Sequence, residues 1–224
     1  MLLSGGIDSA TLLYGLLSHR NDVFAVTINY GQKHVREIQA AIAIAAEAKK
    51  TSKYLKNHTV IDLSVLQPLL QSSLTKKGDV IPEGHYEAAS MKSTVVPNRN
   101  AIMLNIIAGY AISINADRIA YAAHAGDHAI YPDCRPRFVE AIQSSIQIGT
   151  DTELEVYAPF IYLHKSDIVK LGLTLHVPFY LTWSCYKGQQ LACGRCGTCV
   201  ERLEAFAKNR AIDPIEYESE HSHT

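Results

Sequence analysis

The stretch that decides the fold is the first one, Met1-Leu2-Leu3-Ser4-Gly5-Gly6-Ile7-Asp8-Ser9-Ala10-Thr11-Leu12-Leu13. It passes from an apolar lead-in through a glycine pair into a segment with helical periodicity. The glycines permit positive φ and let backbone amides approach an anion closely. The helix that follows presents free N–H groups and the positive end of its dipole, and the hydroxyls of Ser4 and Ser9 add donors. Residues Leu3, Ser4, Gly5, Gly6, Ile7, Asp8, Ser9, Ala10, Thr11, Leu12 and Leu13 therefore form the expected cradle for nucleotide phosphate. No Gly-Lys-Ser/Thr follows, so this is not a Walker A loop. Asp8 or Ser9 is expected to cap a helix over 10–20, where Leu12, Leu13, Leu16 and Leu17 form an apolar face.

Beyond this stretch, apolar patterning alternates between the two periods. The spacing predicts strands over 23–28, 57–62, 118–122 and 155–159, and helices over 35–50, 100–114, 136–148 and 165–173. That alternation implies a doubly wound α/β fold, with a mostly parallel sheet covered by helices on both faces. We expect one domain over 1–224, with 180–224 as a C-terminal metal-binding subregion. The polar segment 71–93 is long for a connection and reads as a functional lid or a surface loop.

Composition excludes more than it proposes. The chain has 21 basic and 22 acidic residues among 224, which gives no electrostatic footprint for nucleic acid or an anionic membrane. There is no apolar run long enough to span a bilayer and no secretory leader pattern, so a cytoplasmic location is expected. Four of five cysteines, Cys185, Cys193, Cys196 and Cys199, fall within fifteen residues. In a chain without a leader this clustering reads as metal binding before disulfides. Four thiolates with glycines between them suit tetrahedral Zn²⁺ in a closed, structural site. An iron–sulfur cluster is the competing metal reading.

The Ser-Gly-Gly-x-Asp-Ser loop resembles the PP-loop of the ATP pyrophosphatase superfamily. Read in order with Asn29-Tyr30-Gly31-Gln32, Val96-Pro97-Asn98-Arg99-Asn100, Tyr131-Pro132-Asp133-Cys134-Arg135, His164-Lys165 and Trp183-Ser184-Cys185-Tyr186, the chain resembles the 7-cyano-7-deazaguanine synthase family of the queuosine precursor pathway over essentially its whole length. The resemblance implies zinc at the four cysteines and ATP as co-substrate with Mg²⁺. It further implies a deazaguanine carboxylate and ammonia as small-molecule substrates, and a homodimer. No glutaminase signature accompanies the chain, so free ammonia is the expected donor. Members of the superfamily carry a full strand before the phosphate loop, whereas here only Met1, Leu2 and Leu3 precede it.

Within that frame Asp8, Arg99 and Lys165 are the expected catalytic residues: Asp8 as the carboxylate nearest a phosphate-bound cation, Arg99 as a grip for phosphate or carboxylate, and Lys165 to neutralise phosphate at the carboxyl edge of the sheet. Asp127, Asp133 and Arg135 are expected to read the substrate's polar edge, and Tyr131 to stack on its ring. His124 and His128 read either as hydrogen-bonded structural residues or as a second metal site or proton relay, and Cys134 as a packed side chain or a site residue. His221 and His223 read as part of a terminal tail. Two other functions stay open at this point: a related PP-loop adenylating enzyme acting on another carboxylate or on tRNA, and a zinc-ribbon nucleic-acid-binding module.

Overall fold

Two parallel strand pairs form the backbone of the sheet. In the computed structural model, which describes residues 1–32, 36–76 and 79–218, β1 (Val23–Asn29) pairs with β2 (Leu55–Asp62), and β3 (Arg118–Ala120) pairs with β4 (Glu155–Tyr157). The N-terminal segment joins them. Leu2 bridges Val26 in parallel, the Leu3 amide donates to the Val26 carbonyl at 2.9 Å, and the Leu2 amide donates to the Ala120 carbonyl at 2.9 Å. The lateral order is thus β2, β1, residues 1–3, β3, β4. The short lead-in occupies the central lane, so its few residues are hydrogen-bonded on both sides.

The helices are α1 (Ile7–Ser18), α2 (Arg36–Thr51), α3 (Arg99–Ser113), α4 (Pro136–Thr150), α5 (Lys165–Thr174) and α6 (Gly197–Lys208). They cover both faces, as expected of the doubly wound class. Along β1, Val23 and Ala25 join the core formed with α1, α2, α5 and α6, while Val26 and Ile28 join the core under α3 and α4. The period of two in the strand therefore sorts side chains between two hydrophobic layers. Phe24 meets Tyr110 of α3 edge to face, with ring centroids 6.4 Å apart.

Differences from expectation are local. Gly6 is the N-cap of α1, so Asp8 and Ser9 lie in the first turn and cap nothing; the glycine pair, not the acid, starts the helix. Strands β3 and β4 hold three residues each, shorter than the patterns at 118–122 and 155–159. The expected helix over 35–50 is present as α2, with Val35 outside the described residues. Helix α6 was not anticipated. Its buried face includes Glu201 and Arg202, which breaks the apolar periodicity that identifies a helix.

The 71–93 segment, apart from Lys77 and Gly78, which lie outside the described residues, packs against the cysteine region. Glu83 forms an antiparallel bridge with Cys196, Gly84 N donates to the Arg195 carbonyl at 2.9 Å, and the Glu83 carboxylate meets Lys187 and Arg195. Elsewhere, α5 approaches α1 closely at Gly172, where a Cβ would lie 2.8 Å from Thr11 Oγ1 and would collide with the Phe179 ring.

Candidate active site and metal centre

The phosphate cradle follows the central lane of the sheet, at the point where the strand order reverses and open α/β sheets place their ligands. Gly5 has φ +89°, and a Cβ there would lie 2.8 Å from the Ala41 amide and would collide with the Glu37 carbonyl, so only glycine fits against α2. The Ser9 hydroxyl accepts from the Ser4 amide at 3.1 Å and lies 3.0 Å from the Ser4 hydroxyl, which fixes the loop over the first turn of α1. No side chain caps that turn, leaving its N–H groups for an anion.

One cavity opens from this loop. Its wall includes Ser4, Asp8, Arg99, Asp127, Tyr131 and Lys165, so five expected catalytic and substrate residues, drawn from α1, α3, α5 and the 124–135 turns, converge with the loop. The N-terminus of α5 aims Lys165 at Asp8, with Nζ 2.6 Å from Asp8 Oδ2 and 3.3 Å from Glu201 Oε2. Burial opposes the charge on Lys165, but Asp8, Glu201 and Asp127 outweigh it and hold the ammonium above its ordinary pKa. Burial would likewise raise the Asp8 carboxyl, yet Lys165 and His124 hold it below the usual carboxylate range. Asp8 Oδ1 is buried and makes no hydrogen bond among the described residues.

His124 completes this group. Its ring is 1% exposed, and Nε2 lies 3.5 Å from Asp127 Oδ2 and 3.9 Å from both Asp8 Oδ2 and Glu201 Oε1. Nδ1 accepts from the Gly126 amide at 3.1 Å, which assigns the ring proton to Nε2 on the carboxylate side. In the same cavity wall Tyr131 OH lies 2.7 Å from Thr94 Oγ1 and 3.2 Å from Tyr186 OH. The Arg99 guanidinium sits 5.9 Å from the Tyr30 ring centroid, and its Nε reaches Asn100 Oδ1 at 3.4 Å.

Two expected substrate residues lie elsewhere. Asp133 Oδ2 accepts from the Asn100 amide at 3.1 Å, holding the start of α3 and hence Arg99. Arg135 is exposed and donates through Nε to the His128 carbonyl at 2.9 Å. Cys134 is buried in the cavity wall and accepts from Asn100 Nδ2 at 3.3 Å. Sequence reasoning missed Glu201, because it was weighed only as part of a cysteine region, and Trp183, whose amide donates to the Gly5 carbonyl at 2.9 Å and whose ring lies 3.9 Å from the Arg36 guanidinium.

The thiols of Cys185, Cys193, Cys196 and Cys199 are all buried, with sulfurs within 4.8 Å of one another; Cys193 and Cys199 sulfurs are 4.0 Å apart. This spacing suits four thiolates on one tetrahedral ion with bonds of about 2.3 Å. Amides of Cys193 and Cys196 donate to neighbouring sulfurs at 3.4 and 3.3 Å, which favours the thiolate form. Cys199 lies in the first turns of α6, so the same helix carries one of the four clustered thiols and Glu201. Arg202 then anchors α6 from below: it is 1% exposed and forks onto Asp213 at 2.6 and 2.8 Å, with Thr182 Oγ1 accepting a third bond at 2.8 Å.

Comparison with known proteins agrees with this geometry. Residues 1–210 match the family model described as "Queuosine biosynthesis protein QueC". A protein of Caldicellulosiruptor saccharolyticus named 7-cyano-7-deazaguanine synthase is 50% identical over 221 residues, covering 98% of this chain and 95% of its own. Proteins of the same name from Methanoregula boonei, 50% identical over 97% of this chain and 98% of their own, and from Hahella chejuensis, 46% identical over 97% and 92%, are similarly close. A glycine-pair loop at the sheet's reversal point, a half-buried Lys165–Asp8 pair beside it and four clustered thiols thus occur in a chain that belongs to the QueC family of queuosine biosynthesis proteins.

Proposed function

We propose that the chain is an ATP-dependent ligase that converts 7-carboxy-7-deazaguanine and ammonia into 7-cyano-7-deazaguanine, with AMP and pyrophosphate released at each of two activations. The observation that carries this reading is the opening of the phosphate loop, the Lys165–Asp8 pair, Arg99 and Tyr131 into one cavity, in a chain about half identical to proteins named for that product. A carboxylate is a poor electrophile. Its oxygen attacks the α-phosphorus of ATP, the bond to pyrophosphate breaks, and the acyl-adenylate exchanges AMP for ammonia to give the amide. The amide oxygen is then adenylated in the same way, and loss of AMP and the nitrogen-bound protons leaves the nitrile. Each substrate oxygen departs in one AMP.

The residues have separable tasks in this scheme. First-turn amides of α1 and the Ser4 and Ser9 hydroxyls stabilise charge developing on pyrophosphate as it leaves. Lys165 neutralises phosphate charge, and its hold on Asp8 keeps the ammonium protonated between turnovers. Arg99 grips a phosphate or carboxylate, and Tyr131 lies against the ring. Asp8 Oδ1, buried and without a partner among the described residues, fits one ligand position of Mg²⁺, which when bound would screen the phosphates. Zn²⁺ at the four cysteines would have no open position and would act structurally. The reading extends to a cytoplasmic homodimer; five free thiols suit a reducing compartment, and the dimer rests on the family resemblance.

The test is mass spectrometry of the products formed from 7-carboxy-7-deazaguanine, ATP and ammonium. A nitrile product with two AMP per turnover is expected. An amide as the final product, or no AMP at all, overturns the assignment.

A further inference from the structure

The proposed reaction needs ammonia, which at neutral pH is present mainly as ammonium. A site for it must attract a small cation, accept a proton and lie at the phosphate end of the cavity, where the activated carbonyl forms. We propose that Asp127 and Tyr121, backed by His124, form that ammonium site. The inference rests on the functional reading above.

Three observations support it. Asp127 carries a carboxylate in the cavity wall whose near neighbour is the His124 imidazole at 3.5 Å. The other two carboxylates of this end, Asp8 and Glu201, are already engaged by Lys165 at 2.6 and 3.3 Å. Second, Tyr121 also lines the cavity and is only 5% exposed, yet its hydroxyl makes no hydrogen bond among the described residues. A buried phenol without a partner costs about 1–3 kcal/mol, and an ammonium N–H would satisfy it. Burial, with Cys134, Asp133 and Asp127 nearby, pushes that phenol above its ordinary pKa, so it stays a neutral hydroxyl able to accept. Third, among the described residues Asp8, Asp127 and Glu201 share the one Lys165 ammonium, so Asp127 is open to a further cation.

Position separates this role from recognition of the heterocycle. The His124 nitrogen that faces Asp127 lies 3.9 Å from Asp8 Oδ2, which places Asp127 beside the phosphate loop. The N1–H and 2-amino groups of a deazaguanine lie across the ring system from its 7-carboxylate, whereas O6 is its neighbour, so a group that reads the amino edge belongs away from the activated carbonyl. In the step itself an ammonium proton passes to the Asp127 carboxylate. The freed lone pair forms the C–N bond as the C–O bond to AMP breaks, and the nitrogen passes one more proton to the departing AMP phosphate to leave the neutral amide.

The test is steady-state kinetics of Asp127→Asn and Tyr121→Phe with ammonium, 7-carboxy-7-deazaguanine and ATP varied in turn. For Asp127→Asn the KM for ammonium should rise at least tenfold while that for the deazaguanine moves less than threefold. Hydroxylamine, an amine uncharged at neutral pH, should restore AMP release to within threefold of wild type. Tyr121→Phe, which preserves shape, should raise the ammonium KM about threefold to tenfold. If instead the deazaguanine KM rises and the ammonium KM does not, Asp127 reads the heterocycle and the inference fails. If wild type forms no AMP with the carboxylate, the functional reading fails first, so the two failures are distinguishable.

Discussion

The two ends of this chain are built in opposite ways. At the phosphate loop the donors are backbone amides held by regular structure: a central sheet lane, a helix that starts at Gly6, and α2 packed so closely that Gly5 has no room for a side chain. At the cysteine end there is little regular structure besides α6, and the order comes from four thiols, a fully bonded Arg202–Asp213 pair and the Glu83 strap. The first region is stabilised by burying apolar layers around the sheet, the second by satisfying buried polar and ionic groups. Burial tolerates the loss of any single polar partner; a region held by clustered thiols, where they bind a metal, and by paired charge does not.

The sharpest way to break that contrast is to remove the metal ligation. Structural zinc sites contribute apparent binding free energies of about 10–16 kcal/mol, so chelation or Cys193→Ser should open residues 180–218 to proteolysis and lower Tm by more than ~10 °C. Circular dichroism with a limited digest checks this, and unchanged protection would mean that the cysteine end folds by packing alone. Next in size, Arg202→Ala leaves Asp213 as an uncompensated buried charge and should cost about 3–5 kcal/mol in urea unfolding. Replacing both partners by apolar residues should recover much of that loss; a double variant no better than the single one would point to specific geometry.

At the other end Gly5→Ala combines a positive-φ backbone with a collision against α2. About 2–5 kcal/mol of destabilisation is expected, together with loss of ATP-dependent thermal protection. Retained protection would show that the loop is less tightly seated than its contacts imply. The smallest effect should come from Ser9→Ala, which removes the acceptor for the Ser4 amide: about 1 kcal/mol, read as a rise in the KM for ATP with little change in Tm. A drop in Tm matching that of Arg202→Ala would erase the distinction between the two ends.

That contrast also governs what could be read from sequence. The phosphate loop, the four thiols and most helices were legible, because glycine chemistry, ligand spacing and apolar periodicity are local. Helix α6 was not, since its buried face carries Glu201 and Arg202 in place of apolar residues, and Glu201 was hidden with it. The central place of residues 1–3 was illegible for another reason: lateral strand order is set by crossovers dozens of residues long, and three apolar residues carry no record of their neighbours. Asp133 and Arg135 follow Tyr131 in sequence, but the short turn over Pro132–Cys134 engages them with the Asn100 amide and the His128 carbonyl, and neither is part of the cavity lining.

The close seat of Gly172 on Thr11 makes α1 and α5 behave as the two arms of a caliper. The phosphate loop ends on one arm and Lys165 tips the other, about 10 Å along the helix from that seat. The gap that Lys165 and Asp8 span is thus gauged by a glycine that touches neither nucleotide nor substrate, and a single methyl group at position 172 would reset it.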